Sequence, residues 1–124
     1  MPRVISVHEY DLKEGIRPDE FIKRTRQAHA EGLFNLPGLE SFHFLRVIKG
    51  EARSAWSAIW IYASDAAWER LWGSPEDPKL RSEYPERWRR WEDDYLAPLL
   101  ESHPDMIRFA SYTEVWAPHG TATE

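Results

Sequence analysis

Two helical segments carry polar side chains where a helix is expected to bury apolar ones. In the segment that begins at Pro18, Thr25 and His29 are four residues apart, which places them one turn apart on the same helical face. At about 100° per residue this face also holds Phe21 and Leu33, so we expect both polar side chains to point inward. A buried hydroxyl or imidazole then needs a partner, because an unpaired polar group costs about 1 to 3 kcal/mol.

The second segment, YPERWRRWEDDYLAPLL at residues 84–100, places a carboxylate among aromatic side chains. On a helix, Glu92 falls within the arc that Trp88 and Trp91 share. A carboxylate hydrogen-bonded to an imidazole fixes its tautomer and raises its basicity. If the two helices lie side by side, His29 and Glu92 form a candidate general base for abstracting a proton from a phenol or enol. We therefore predict these two residues as catalytic.

An ordinary core accounts for the same residues in another way. His29 and Glu92 then satisfy each other or a backbone group, or keep their polar tips in water, and large aromatics are common core material. Seven tryptophans in 124 residues shift the balance toward a pocket for a planar molecule. The residues predicted to bind such a substrate, on the strands and helices around the pocket, are Thr25, His8, Trp60, Trp68, Trp88 and Trp91.

The elements that must position these side chains follow the order β-α-β-β-α-β. This split βαβ order predicts an α+β, ferredoxin-like sandwich with an antiparallel four-stranded sheet and both helices on one face. The length fits one domain, which we place at residues 1–116. The tail at 117–124 has no apolar pattern and is predicted to be loose.

Both faces of the predicted sheet carry apolar side chains. In the third strand, Trp56 and Trp60 lie on one face, while Ile59 and Ile61 lie on the other. Two helices on one side cover only one of these faces. The second face is therefore expected to meet another copy of the chain, since the alternative is an exposed apolar surface with a risk of aggregation.

The element order and three phrases, KEGIRPDEFIKR, NLPGLESFHFLR and IWIYASDAAWERLW, resemble the dimeric α/β-barrel superfamily. That superfamily includes the antibiotic-biosynthesis-monooxygenase-like, EthD-like and NIPSNAP-like proteins. The resemblance spans about residues 4–116 and implies that two sheets pack into a dimeric barrel. It also implies a range of activities, among them cofactor-free oxygenases, cyclases, isomerases and haem-degrading enzymes.

The haem-degrading branch is similar in using an Asn on the first strand and a Trp and a His on the second helical region. This chain has Trp68 and Trp72 in that region. It has no Asn in the first strand and no His between positions 44 and 102. The resemblance to that branch is therefore incomplete.

Composition and residue spacing argue against several classes of site and partner. The absence of cysteine excludes disulfides and thiolate chemistry, and no HxH or HxxxH spacing indicates a metal site. With a net charge of −5 and scattered Lys and Arg, nucleic acid is not an expected partner. No apolar run is long enough for a membrane span and no signal-peptide pattern is present, so a cytoplasmic location is expected without membrane contact.

The sequence therefore predicts a homodimer that binds a small apolar or aromatic molecule between its sheet and its helices, without a cofactor or a metal. Cofactor-independent monooxygenase-type chemistry, or a related cyclase or isomerase reaction, is the hypothesis for its activity. The alternative is a non-catalytic homodimeric binding or stress-related module. A third hypothesis is haem binding through a His ligand.

Overall fold

Four antiparallel strands form the main sheet in the computed structural model, which describes residues 2–118. The strands, including a two-residue hairpin pair, are β1 (Val4–Tyr10), β2 (Leu39–Arg46), β3 (Trp56–Tyr62), β4 (Gly73–Ser74), β5 (Asp77–Pro78) and β6 (Phe109–Thr113). The main sheet has the order β2-β3-β1-β6, and β4 pairs with β5. This order is that of the ferredoxin-like sandwich, so the predicted fold class is confirmed. Most of the predicted loose tail at 117–124 lies outside the described residues.

Three α-helices connect the strands: α1 (Pro18–Ala30), α2 (Asp65–Trp72) and α3 (Glu86–Arg90). Helix α1 begins with a proline, whose fixed φ suits the first helical position. Helix α2 begins where the Ser64 hydroxyl accepts a hydrogen bond of 3.1 Å from the Ala67 N–H. Each start therefore satisfies or avoids an amide group that would otherwise lack a partner.

The last helical region changes from an α-helix to a π-helix after Arg90. Helix α3 continues without a break into a π-helical segment, Trp91–Leu96, and then into a 3₁₀ turn, Ala97–Leu99. Further 3₁₀ turns occupy Arg81–Glu83 and Pro104–Met106. Single π-helical turns inside α-helices are rare and frequently occur at functional sites.

The helices cover one face of the sheet, and the core lies there. On β1 and β3 the even-numbered residues face the helices, and Tyr10, Trp60 and Tyr62 are almost completely buried. The odd-numbered residues face the other way, and no helix within residues 2–118 covers them. Leu45 and Tyr112 on this outer face remain 43% and 56% exposed.

The expectation that His29 is buried is wrong, although its ring lies against Phe42 of β2. Helix α1 buries Phe21, Thr25 and Ala28, and His29 is exposed. The predicted face is centred too close to His29 because it includes Leu33, which follows the end of the helix at Ala30. The true centre lies nearer Phe21 and Ala28, which places His29 about 80° away from it.

Candidate functional site

A cavity of about 430 Å³ lies between the sheet and the helical segments that follow β3, which are α2, α3 and the π-helical segment. Its floor comes from the adjacent strands β1 and β6, and its walls come from α2, α3 and the β4-β5 hairpin. The segment around Pro104–Met106 closes part of the remaining side. The lining residues Phe109 and Ser111 are exposed, so solvent reaches the cavity along the β6 edge.

His8 lies on the cavity floor among aromatic rings. Its ring centroid is 5.8 Å from that of Phe109, 5.9 Å from Trp60 and 6.0 Å from Trp88. Within residues 2–118, neither ring nitrogen has a hydrogen-bond partner. Burial lowers the pKa of His8 to about 4, because these apolar surroundings disfavour the charged ring. His8 is therefore a neutral imidazole at pH 7, with a free nitrogen lone pair at the cavity.

Beside His8, two serine hydroxyls form a cross-strand pair. Ser6 and Ser111 stand opposite each other in the β1-β6 ladder, and their Oγ atoms are 2.7 Å apart. Ser6 is 3% exposed, although both hydroxyls line the cavity. The pair and His8 together place polar groups on a floor that is otherwise aromatic.

Glu92 lies on the wall opposite the floor and is 7% exposed. Its Oε1 accepts hydrogen bonds from Nε and from a terminal nitrogen of Arg81, at 3.3 and 3.2 Å. Burial raises the pKa of Glu92, whereas the Arg81 guanidinium acts to lower it. The predicted inward position of Glu92 is confirmed, but its partner is Arg81 and not His29.

From Glu92 a charged network runs to the protein surface. Arg81 also contacts Asp93 at 2.7 Å, and Asp93 contacts Nε2 of His103 at 3.1 Å. The other ring nitrogen of His103 lies 2.6 Å from Asp105, which lines the cavity. This network ties the segment around Pro104–Met106 to the π-helical turn and fixes that side of the cavity.

The β4-β5 hairpin at the other side depends on one glycine. Gly73 has φ +87°, and a Cβ built there would lie 2.5 Å from the amide nitrogen of Lys79 and 2.6 Å from the carbonyl oxygen of Asp77. These neighbours are backbone atoms that cannot turn aside. Only glycine fits both the conformation and the space, so the hairpin wall is set by this residue.

The structure brings four of the predicted site residues together and separates the others. The four that line the cavity are His8, Trp68, Trp88 and Glu92. Trp60 lies directly behind them, with its ring 5.0 Å from that of Trp88.

The remaining three predicted residues lie elsewhere. Trp91 packs against Phe34 in another part of the core, at a ring distance of 5.0 Å. The Thr25 hydroxyl donates a 2.8 Å hydrogen bond to the Ile22 carbonyl, so it is satisfied within its own helix. His29 contacts the edge of Phe42 and does not line the cavity. The expected side-by-side site of His29 and Glu92 is therefore not formed.

Several residues that line the cavity were not predicted from the sequence. Tyr84 contributes to the wall, with its ring centroid 5.0 Å from that of Trp72. Ser6 shares the face of His8, and its position among buried residues of β1 was the available signal. Ser111 becomes recognisable only once the pairing of β1 with β6 is known.

Within residues 2–118, no group of three His, Cys, Asp or Glu side chains is arranged to hold a metal ion. In the same range, none of the helices has both the length and the apolar character needed to cross a membrane.

No protein-family model matches the chain, and no curated protein matches it. Solved structures do match. A DABB family protein with a ferredoxin-like fold from Mesorhizobium loti is 17% identical, with a TM-score of 0.57, and the alignment covers 95% of this chain and 100% of that one. SnoaB, a cofactor-independent oxygenase from Streptomyces nogalater, is 14% identical, with a TM-score of 0.55 and full coverage of both chains.

A third similar structure is the heme-degrader MhuD from Mycobacterium tuberculosis, determined with two hemes bound in its active site. It is 18% identical, with a TM-score of 0.57 and coverage of 93% of this chain and 98% of that one. These neighbours are of the kinds that the sequence resemblance named. At such identities the likeness establishes the fold, and it is the ferredoxin-like fold that the sequence predicted.

Proposed function

We propose that this protein binds a small, uncharged aromatic molecule in the cavity between its sheet and its helices. The observation that carries the proposal is the lining itself, in which aromatic walls surround one unpaired neutral imidazole, that of His8. Ligand sites are typically about 300 to 1,000 Å³, mostly apolar, with a few polar groups that orient the ligand. The cavity of about 430 Å³ has this size and this composition.

Binding is better supported than proton abstraction. The pKa of His8 is lowered to about 4, whereas a phenol such as tyrosine has a pKa of about 10. A difference of about six pKa units corresponds to roughly 8 kcal/mol against proton transfer. A neutral His8 is therefore suited to accept a hydrogen bond and poorly suited to act as the base of an oxygenase.

Cofactor-independent oxygenation is the second candidate function, and the likeness to SnoaB favours it. It requires a substrate whose carbanion or phenolate forms easily, since the site offers only weak bases. Oxygen consumption with a bound hydroxyaromatic would distinguish it from binding alone. A protein that binds such a molecule without taking up oxygen is the non-catalytic module.

Haem fits this cavity poorly. Haem carries two carboxylates, and the lining within residues 2–118 contains Glu92 and Asp105 but neither Lys nor Arg. His8 offers a free nitrogen to iron, yet it stands on the first strand and not on the second helical region. The polar residues of the lining therefore suit an uncharged ligand better than haem.

The proposal is tested by equilibrium dialysis with naphthalene as the probe. We expect wild-type protein to bind it, and Ser111→Trp to weaken binding at least tenfold, because the indole would fill the exposed mouth of the cavity. Thr113→Trp is the matched control, since Thr113 is the next residue on the same face of β6 and does not line the cavity. Equal affinities for all three proteins would place the probe outside the cavity and contradict the proposal.

We further propose that two chains associate through the outer sheet face. Of the described residues, none forms a helix over Ile5, Val7, Ile59 and Ile61 on this face, and several similar structures are described as dimeric ferredoxin-like proteins. Packing two such faces removes apolar area from water at about 25 cal/mol per Å². The second copy then covers the surface that the helices leave open.

Ile59→Glu is expected to convert the dimer into a monomer, because association would bury its carboxylate without a partner. Light scattering after size-exclusion chromatography measures the change. Leu80→Glu is the control, since Leu80 is 71% exposed and lies outside the sheet. A wild-type protein that is monomeric at micromolar concentration would refute the association.

A further inference from the structure

We infer that the ligand carries a hydroxyl group, which is bound between His8 and the Ser6–Ser111 pair. This inference rests on the proposed binding function and specifies the chemical class of the ligand. The class is an uncharged hydroxyaromatic, such as a phenol or naphthol, with its ring against the aromatic wall. The hydroxyl donates a hydrogen bond to a His8 nitrogen and accepts one from a serine.

The acceptor side of the site is His8. An imidazole that is neutral has one nitrogen that accepts a hydrogen bond and one that donates. Neither has a partner within residues 2–118, although the ring is half-buried and surrounded by Trp60, Trp88 and Phe109. A ligand hydroxyl satisfies the acceptor nitrogen, whereas a plain hydrocarbon would leave it unpaired and desolvated.

The donor side is the serine pair. In the 2.7 Å contact between Ser6 and Ser111 only one of the two hydroxyl groups donates, so the second O–H remains available. No other hydrogen bond engages either side chain within the described range 2–118. Ser6 is 97% buried and Ser111 is exposed at the mouth of the cavity, so the pair joins the floor to the opening.

The distance between the two sides suits one oxygen atom. Ser6 and His8 are two residues apart on the same face of β1, which separates their Cα atoms by about 7 Å. Two hydrogen bonds of about 2.8 Å that meet at a tetrahedral oxygen place their outer atoms about 4.6 Å apart, and two side chains that lean toward each other on this face can reach that distance. A single ligand hydroxyl can therefore engage both sides.

The charge of the lining excludes an acid from the class. Glu92 and Asp105 are both on the lining, and none of its described residues is Lys or Arg. Arg81 stands behind Glu92 and is already bound to Glu92 and Asp93. An aromatic carboxylate would thus meet two carboxylates of the protein without a free cation.

Three probes of one size separate these requirements: naphthalene, 2-naphthol and 2-naphthoate, each measured by equilibrium dialysis at pH 7. For the wild-type protein we expect 2-naphthol to bind roughly tenfold tighter than naphthalene, which is the effect of about one net hydrogen bond in a buried site. We expect 2-naphthoate to bind at least tenfold more weakly than 2-naphthol. The ratios matter more than the absolute affinities.

Two variants assign the preference to the residues. His8→Phe should reduce the naphthol preference to about twofold or less while naphthalene still binds, because the ring remains and the acceptor is lost. Ser111→Ala should reduce it in part, and it serves as the second variant if His8→Phe does not fold. His43→Phe is the matched control, since His43 is a strand imidazole exposed on the outer face.

The outcomes separate this inference from the proposed function. If naphthalene and 2-naphthol bind the wild-type protein equally, or His8→Phe and Ser111→Ala both keep the full preference, the hydroxyl site is refuted and aromatic binding stands. If 2-naphthoate binds best, the uncharged class is refuted. If none of the three binds, the proposed function fails with it.

Discussion

Replacing Arg81 by methionine is expected to lower the free energy of unfolding by about 2 to 3 kcal/mol at pH 7. The change leaves Glu92, only 7% exposed, without the cation that it contacts at 3.2 Å. Breaking a fully buried ion pair costs about 3 to 5 kcal/mol. We expect a smaller loss for the Arg81–Glu92 pair because the Arg81 side chain is 30% exposed, so water screens part of the interaction.

The loss of stability caused by Arg81→Met should increase from pH 4 to pH 7. Burial raises the pKa of Glu92 even with Arg81 present, and removing Arg81 raises it further. A carboxyl whose pKa is higher in the folded state supports stability below its unfolded pKa of about 4.3, and that support is lost as pH rises through the folded value. Arg81→Met should therefore cost little near pH 4 and most at pH 7.

Urea unfolding at pH 4 and pH 7 measures this difference. Arg81 also contacts Asp93, and His103 acts on Glu92, so the cycle of Arg81→Met, Glu92→Gln and the double variant isolates the Arg81–Glu92 pair. The double variant should recover most of the stability at pH 7, because the buried group is then neutral. An equal cost at both pH values would show that Glu92 is not the charge responsible.

The sequence predicted the fold and the local side-chain pattern better than the assembly of the site. Strand parity is a local property with a period of two, so the residues themselves place Trp56 and Trp60 on one face of β3. Parity left open which face His8 takes, and the pairing of β1 with β3 decides it. The antiparallel order followed from the succession of elements. The shared face of Trp56 and Trp60 and the antiparallel order need no knowledge of contacts between distant segments.

The other parts of the site, on the walls and on β6, depend on packing that no single segment encodes. The sequence pattern placed His29 on the buried face because it counted Leu33, which lies beyond the end of α1 at Ala30. His29 lies about 80° from the centre of the face that α1 buries, so its side chain is exposed. The Glu92 partner is Arg81, which belongs to a separate 3₁₀ turn whose place depends on the loop before α3. Ser111 required the register between β1 and β6. In each case tertiary contacts decide the outcome.

Acidification is expected to destabilise the wild-type protein through His8. Burial lowers the pKa of His8 in the folded state to about 4, whereas an unfolded histidine has a pKa near 6.5. Between these values the unfolded chain binds more protons, so stability rises with pH across this window and is lost as pH falls from about 6.5 to 4. A shift of about 2.5 units corresponds to roughly 3 kcal/mol.

His8→Phe removes this proton uptake and supplies the reference. We expect the variant to be within about 1.5 kcal/mol of wild type at pH 7, because the two rings fill similar space among Trp60, Trp88 and Phe109. At pH 4.5 the free energy of unfolding of the variant, relative to that of wild type, should be higher than at pH 7 by about 2 kcal/mol or more.

Glu92 and Asp105, the charged groups on the same cavity, are present in both proteins, so the difference between the two urea midpoints reports His8. Parallel stability curves from pH 7 to pH 4.5 would mean that folded and unfolded His8 take up a proton alike. In that case water would hydrate the ring freely, and the lone pair would not be held for a ligand. A divergence of the expected sign would show that the cavity floor keeps its imidazole neutral at the pH where we propose that it accepts a hydroxyl group.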